Sequence, residues 1–242
     1  IQFFKSYIEL QPNNIEAYYS LGICYREIGD IQMAEKTFLK ALKMNPDYPY
    51  LKGQLQFMKN HLCDWVNYNE TKKNIEKDIT QNKKTITPWQ ALSVIDSPKL
   101  LKDNTMLFID NKEFNNQNLI DKKKITLGYF SPDFCEHAVS NQFKQILKLH
   151  DKKKFEIIGF YLNSKQDEKL YEMKTYFDKF FDINQMSTED IIRLTQVHKV
   201  DIAIDLAGYT YSNRYQIFNQ RCAPLQVSYL GFAGSTGLNN MD

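Results

Sequence analysis

The 242 residues are 43% apolar, 25% charged and 14% aromatic, which suits one large domain or two modest ones with a packed core and excludes a disordered chain. The 31 basic and 29 acidic side chains leave a formal charge of +2, so no global field points to nucleic acid as a partner. No run approaches the ~20 apolar residues of a membrane span, and nothing near Ile1 reads as a signal peptide; Cys24, Cys63, Cys135 and Cys222 show no C-x-x-C spacing, as expected of a reduced compartment, cytosol or nucleus.

An internal period comes first. Phe4 and Phe38, Ile8 and Leu42, and Pro12 and Pro46 are each 34 residues apart, the tetratricopeptide spacing. Residues 15–48 fill such a unit: Tyr18, Leu21, Gly22 and Tyr25 fall on one helix and Ala34, Phe38 and Ala41 on a second. Gly29-Asp30 makes the turn between them, and Pro46 ends the second helix. Residues 1–12 then read as the second helix of an earlier repeat. Because such arrays need about three units to bury their faces, the protein is expected to continue before Ile1. A third unit would open at Pro49, with Leu55 in the place of Leu21, but Gln56 stands where Gly22 stood and the array is expected to end near His61.

From Cys63 to about Asn118 the chain is polar and rich in Lys and Asn, with helical runs broken at Pro88 and Pro98, and reads as a helical connector. Lys83-Lys84 and Lys122 to Lys124 read as solvated faces rather than binding patches. The Asn69-Glu70-Thr71 triplet would matter only in a secreted protein.

After Lys122 the period changes. Short β-rich runs at 125–130, 155–160, 180–183, 201–206 and 225–230 alternate with helical patterns. Val139, Phe143, Ile146 and Leu147 line one helix, Leu170, Met173 and Phe177 another, and Ile191, Ile192 and Leu194 a third behind a Ser187-x-x-Asp190 cap. This alternation predicts a doubly wound parallel sheet. The expected divisions are repeats over 1–62, the connector over 63–122 and an α/β lobe over 123–242, an all-helical part followed by an α/β part.

In such sheets ligands gather at the carboxyl ends of the strands. The loop after the first strand, residues 131–137, places Asp133, Cys135 and His137 just before a helix. His137 has two readings there, a functional imidazole or a helix cap. The fourth loop combines Gly208, Thr210, Ser212 and Arg214, and the fifth, Gly231 to Gly237, is glycine-rich; neither matches a Walker loop or a G-x-G-x-x-G fingerprint. Asp201 and Asp205 flank one strand roughly 13 Å apart. No G-x-S-x-G marks a serine nucleophile, and without Asp-x-Asp or H-E-x-x-H metal chemistry is disfavoured and no metal ligand is assigned.

The order of parts and several strings resemble the protein O-GlcNAc transferase family, which includes the SPINDLY proteins. The strings are Cys63-Asp64-Trp65-Val66-Asn67-Tyr68, residues 127–134 followed by His137, residues 205–210, Asn213-Arg214, residues 223–227 and residues 230–237. The resemblance implies that the α/β part is the N-terminal lobe of a two-lobed GT-B glycosyltransferase. It implies transfer of N-acetylglucosamine from UDP-GlcNAc to Ser or Thr of intracellular proteins, with inversion and without a metal or other cofactor. His137 matches the family's active-site histidine, and Thr210, Gly231, Gly234, Ser235, Thr236 and Gly237 fall in strings expected to contact substrate. Protein acceptors would be received through the repeats, with neither nucleic acid nor membrane as partner. Ala138, Asn141 and Asp201 depart from the animal enzymes, and the Asp201 to Gly208 region looks more like the bacterial members. In the family a second lobe, with a lysine near the diphosphate, holds most of the nucleotide; it is expected beyond Asp242, and residues 1–242 alone are expected to bind UDP-GlcNAc weakly and to be inactive. Two other functions fit the same parts: a SPINDLY-like enzyme using GDP-fucose, and a repeat-based adaptor without catalysis.

Overall fold

The computed structural model describes residues 1–109 and 122–242, and the chain divides into two compact units, Ile1–Ile109 and Asp110–Asp242. The last part of the expected connector, 110–121, lies outside the described residues.

The first unit is all helical. Helices α1 (Gln2–Leu10), α2 (Ile15–Glu27), α3 (Ile31–Met44) and α4 (Leu51–His61) follow the 34-residue period. Each start has a local cause: Asn14 Oδ1 accepts from Ala17 N–H at 2.9 Å at the head of α2, and Asp30 Oδ1 accepts from Met33 N–H at 3.1 Å at the head of α3. The residues expected to face inward do so. Tyr18, Leu21, Gly22 and Tyr25 of α2 are buried with Ala34, Phe38 and Ala41 of α3, and Leu51, Leu55 and Met58 of α4 join the same core.

The third unit stops after α4, and the hydrogen bonds show why. Tyr50 and Gly53, at the start of α4, donate their backbone N–H groups to the carbonyls of Lys84 and Thr85 at 2.8 and 3.0 Å. Donors that a helix start leaves without intrahelical acceptors are thus taken by an extended segment. Gln54, buried on α4, accepts from Arg26 Nη1 at 2.8 Å and from Gln90 Nε2 at 2.9 Å, tying α2 and α4 to the short helix that starts at Pro88. Helices α5 (Tyr68–Thr80), α6 (Pro88–Ala91) and α7 (Pro98–Phe108) complete the unit. Pro88 and Pro98 stand at helix starts, where the missing N–H costs nothing. Ile75, Ile79, Ile86, Ala91, Val94 and Ile95 form a second small core. Residues 63–109 therefore share one compact unit with the repeats.

The second unit is a five-stranded parallel sheet. Strands β1 (Ile125–Ser131), β2 (Phe155–Tyr161), β3 (Lys179–Asp182), β4 (Ile202–Asp205) and β5 (Leu225–Ser228) are ordered β3-β2-β1-β4-β5. Register is fixed by pairs such as Leu127 with Ile157 and Phe130 with Asp205. Helices α8 (Ala138–Leu149), α9 (Glu168–Lys174), α10 (Thr188–Val197) and α11 (Tyr215–Asn219) make the crossovers. Phe143 and Leu147 of α8 and Leu170 and Met173 of α9 pack with Leu127, Tyr129, Ile157 and Tyr161 on one face of the sheet. On the other face Phe130 stacks on Phe160 at 4.4 Å and meets Phe218 of α11 edge-on at 5.2 Å. With helices on both faces this is the Rossmann-like, doubly wound arrangement that the alternating pattern predicts.

Candidate functional site

The strand order reverses between β1 and β4, so the crevice of this fold opens where the loops after those two strands part. Strand pairing places the two loops side by side: Phe130 is in register with Asp205, and Leu206 N–H donates to the Phe130 carbonyl at 3.0 Å.

His137 ends the first of these loops as the residue that caps α8. Its Nδ1 accepts from Val139 N–H at 3.2 Å, its side chain is 47% exposed, and Asp133 Oδ2 lies 3.6 Å from the same Nδ1. Burial pushes the Asp133 carboxyl up, and His137 pulls it partly back. The capping reading of His137 is therefore realised, while the ring's other nitrogen stays out of the cap. Cys135, by contrast, lies buried beneath the loop with its thiol directed at the Pro132 carbonyl at 3.8 Å, so the thiol is not presented at the crevice.

The loop after β2 holds the loop after β1 in place. Asp167 Oδ2 accepts from Glu136 N–H at 2.9 Å while its Oδ1 caps α9 by accepting from Leu170 N–H at 2.9 Å. Asn163 Nδ2 donates to the Pro132 carbonyl at 3.2 Å. The Glu136 N–H draws the Asp167 carboxyl below its ordinary range. Neither residue stands out from sequence pattern alone; an Asp before Glu168-Lys169-Leu170 is a helix-start signal, but nothing in it shows that the carboxylate also reaches another loop.

The fourth and fifth loops form one packed body. Gly208 has φ +55°, a left-handed conformation, and a Cβ there would meet Phe232 Cβ at 2.3 Å. A Cβ on Gly231 would come within 1.8 Å of the Leu206 carbonyl oxygen, so the two backbones cross in contact. Tyr209 stands edge-on to Phe232 at 5.4 Å and donates its hydroxyl to the Thr236 carbonyl at 2.5 Å. Thr210 Oγ1 donates to the Ala207 carbonyl at 2.8 Å, and Ser235 Oγ accepts from Gly237 N–H at 3.2 Å. Gly234, Ser235 and Thr236 remain partly exposed. Thr210 and the Gly231 to Gly237 string are thereby brought together, whereas His137 lies on the neighbouring loop with no hydrogen bond to them among the described residues.

Two charged residues at the mouth have structural occupations. Arg214 donates to the Met186 carbonyl at 2.8 Å and to Thr188 Oγ1 at 3.1 Å, anchoring the fourth loop to the turn after β3. Asp205 is buried at the end of β4 and accepts from the Ala207 and Gly208 N–H groups at 2.9 and 3.1 Å; burial pushes its carboxyl up and these bonds oppose the shift. Asp201, at the opposite end of β4, accepts from Thr126 N–H at 2.7 Å and pairs with Lys122 at 2.9 Å. Lys122 therefore belongs to an anchored pair at the start of β1 rather than to a solvated face.

The model of glycosyl transferase family 41 matches residues 80–242, two thirds of the chain, and a tetratricopeptide repeat model matches residues 15–48. The chain belongs to glycosyl transferase family 41. Among similar proteins, Arabidopsis thaliana SEC, named as a probable UDP-N-acetylglucosamine peptide N-acetylglucosaminyltransferase, is 32% identical over 121 residues, which is 50% of this chain and 12% of that protein. SPINDLY of the same plant, named for the same activity, is 33% identical over 130 residues, or 52% of this chain and 14% of its own length. A mutant O-GlcNAc transferase of Thermobaculum terrenum shares the fold at a TM-score of 0.68 and 17% identity, covering 99% of this chain and 48% of that one. The chain thus spans a small part of the plant relatives that it matches. No helix among the described residues is long and apolar enough to cross a membrane.

Proposed function

We propose that this chain carries the repeat end and the first α/β lobe of a protein O-GlcNAc transferase, with UDP-GlcNAc as donor and Ser or Thr of intracellular proteins as acceptor. The observation that carries this reading is the family-41 match over 80–242, which spans the sheet whose switch point is flanked by the His137 loop. The repeat module supplies a surface of the kind that receives polypeptide. The names of the two Arabidopsis relatives favour UDP-GlcNAc over GDP-fucose as the donor.

The reaction is an inverting displacement without a metal. The acceptor hydroxyl attacks the anomeric carbon as the bond from that carbon to the diphosphate oxygen breaks, and the electron pair leaves with the diphosphate. His137 Nε2 takes the hydroxyl proton. Thr210 and the loop from Gly231 through Gly234, Ser235 and Thr236 to Gly237 form the opposite wall of the crevice, where a glycine-rich backbone lets the donor approach closely. Charge that develops on the diphosphate is stabilised mainly by a second lobe.

The test uses the complete natural protein, with labelled UDP-GlcNAc and GDP-fucose offered in parallel. Label should pass from UDP-GlcNAc to protein hydroxyls. His137→Asn keeps a side chain able to cap α8 but cannot exchange a proton, so turnover should fall by about 10²–10⁴-fold. Transfer from GDP-fucose alone would replace the donor assigned here, and turnover within about threefold of wild type in the folded variant would remove His137 from the chemistry.

A further inference from the structure

One nitrogen of His137 faces two incompatible demands. Nδ1 accepts the Val139 N–H at 3.2 Å, which requires a lone pair there and puts the proton of the neutral ring on Nε2. In that tautomer Nε2 can donate but cannot take a proton from a hydroxyl. Asp133 Oδ2, 3.6 Å from the same Nδ1, offers the opposite arrangement, in which Nδ1 carries the proton and Nε2 presents its lone pair outward.

We propose that Asp133 is a positioning residue that selects the tautomer of His137, holding Nδ1–H so that Nε2 becomes the proton acceptor. This rests on the role given above to His137. The geometry supports it in three ways. The Asp133 side chain is only 17% exposed while that of His137 is 47% exposed, so the carboxylate is the more enclosed partner and the ring the one open to an incoming group. The Asp133 backbone is fixed by its own N–H, which donates to Ser131 Oγ at 3.0 Å, and the far end of the loop by Glu136 N–H on Asp167. The Val139 N–H that the switch releases lies at the first turn of an exposed helix start, where water can replace the cap.

The other charged groups of these two loops are Glu136, beside His137 in sequence, and, on the loop after β2, Lys165 and Asp167, which pair with each other at 3.1 Å. Asp133 is the one whose carboxylate faces Nδ1. The proton count closes: solvent takes the proton from Nε2 and returns one to Nδ1. The acceptor hydroxyl then gives its proton to Nε2, the resulting imidazolium is balanced by the Asp133 carboxylate, and that proton passes to solvent after transfer.

Nitrogen NMR of the ¹⁵N-histidine-labelled chain, at a pH where the ring is neutral, reads the tautomer without any need for activity. The wild type should show mainly the Nδ1–H form of His137, and Asp133→Asn mainly the Nε2–H form. The same tautomer in both would overturn the proposal. In the complete protein, Asp133→Asn should lower kcat by ~10²-fold or more with KM little changed, and combining it with His137→Asn should cost no more than His137→Asn alone. Asp133→Glu should restore part of the kcat. Additive losses in the double variant would also overturn it. Full turnover in His137→Asn would instead sink the reading of His137 as proton acceptor, while the nitrogen spectra would still judge the tautomer.

Discussion

Removing the Asp167 carboxylate should detach one loop of the crevice from its neighbour. In Asp167→Ala, α9 loses its cap to Leu170 N–H, worth about 1 kcal/mol. The Glu136 N–H loses a charged acceptor 2.9 Å away at an exposed position, where water replaces much of it, so this bond is worth about 1 kcal/mol. The Lys165 pair adds little, since that lysine is half exposed. Cap and bond together should cost the second unit about 2 kcal/mol. Trp65 and Trp89, the two tryptophans, both lie in the first unit, so their fluorescence cannot follow the loss. Amide exchange of β1 and β2 in mild urea reports it instead. The sign with pH follows from the depressed carboxyl. The stabilisation is complete above the unfolded value of about 3.9 and is lost as pH falls through the lower folded value. The gap between wild type and variant should therefore narrow as pH falls below the unfolded value. A change below about 0.5 kcal/mol at neutral pH, or a gap undiminished in acid, would refute the view that this carboxylate fastens the two loops.

Gly231→Ala would set a methyl group 1.8 Å from the Leu206 carbonyl oxygen; the fourth and fifth loops must separate, and thermal unfolding should show a loss of at least about 2 kcal/mol in the second unit. His150 accepts or donates across 2.9 Å to Tyr129 and is depressed by burial and then by Lys152, and His198 is depressed by burial and then by Lys179, so proton NMR should show both titrating below about 6.5. Because the unfolded chain then binds more protons than the folded one, the stability they contribute is intact above that value and is lost as pH falls. Helix α1 has no buried residue, with Phe3 and Leu10 largely exposed, and its amides should exchange well before those of β1.

Most of the architecture is legible in the chain because periodicity encodes it. The repeat pattern puts Gly22 on one helix and Phe38 on the next, where a Cβ on Gly22 would meet the Phe38 ring at 2.4 Å, and the strand runs fall within a few residues of β1 to β5, since β-branched and aromatic runs between helical patterns leave few other folds. The end of the array is less legible. That Gln56 breaks the repeat can be seen, but that residues 84–85 return to take the donors of α4 depends on a contact more than thirty positions away in sequence. The anchoring of Lys122 to Asp201 is hidden for the same reason: a run of three lysines looks solvated until the strand order places β4 beside β1.

The candidate site divides along the same line. Its loops can be located because parallel sheets present their carboxyl ends, yet the occupation of each side chain depends on partners from other loops. Arg214 stands in a string of hydroxyls at the mouth of the sheet, and its guanidinium fastens carbonyls of the preceding turn. His137 looks like either a cap or an acid–base group, and in the proposal above these are two states of one ring. While Nδ1 holds the helix start, Nε2 carries a proton; while Asp133 holds Nδ1–H, Nε2 can receive one. On that proposal, capping and proton transfer are alternatives coupled through a single nitrogen. A substitution that preserves the cap without the imidazole separates the two more cleanly than deletion to alanine, which removes both.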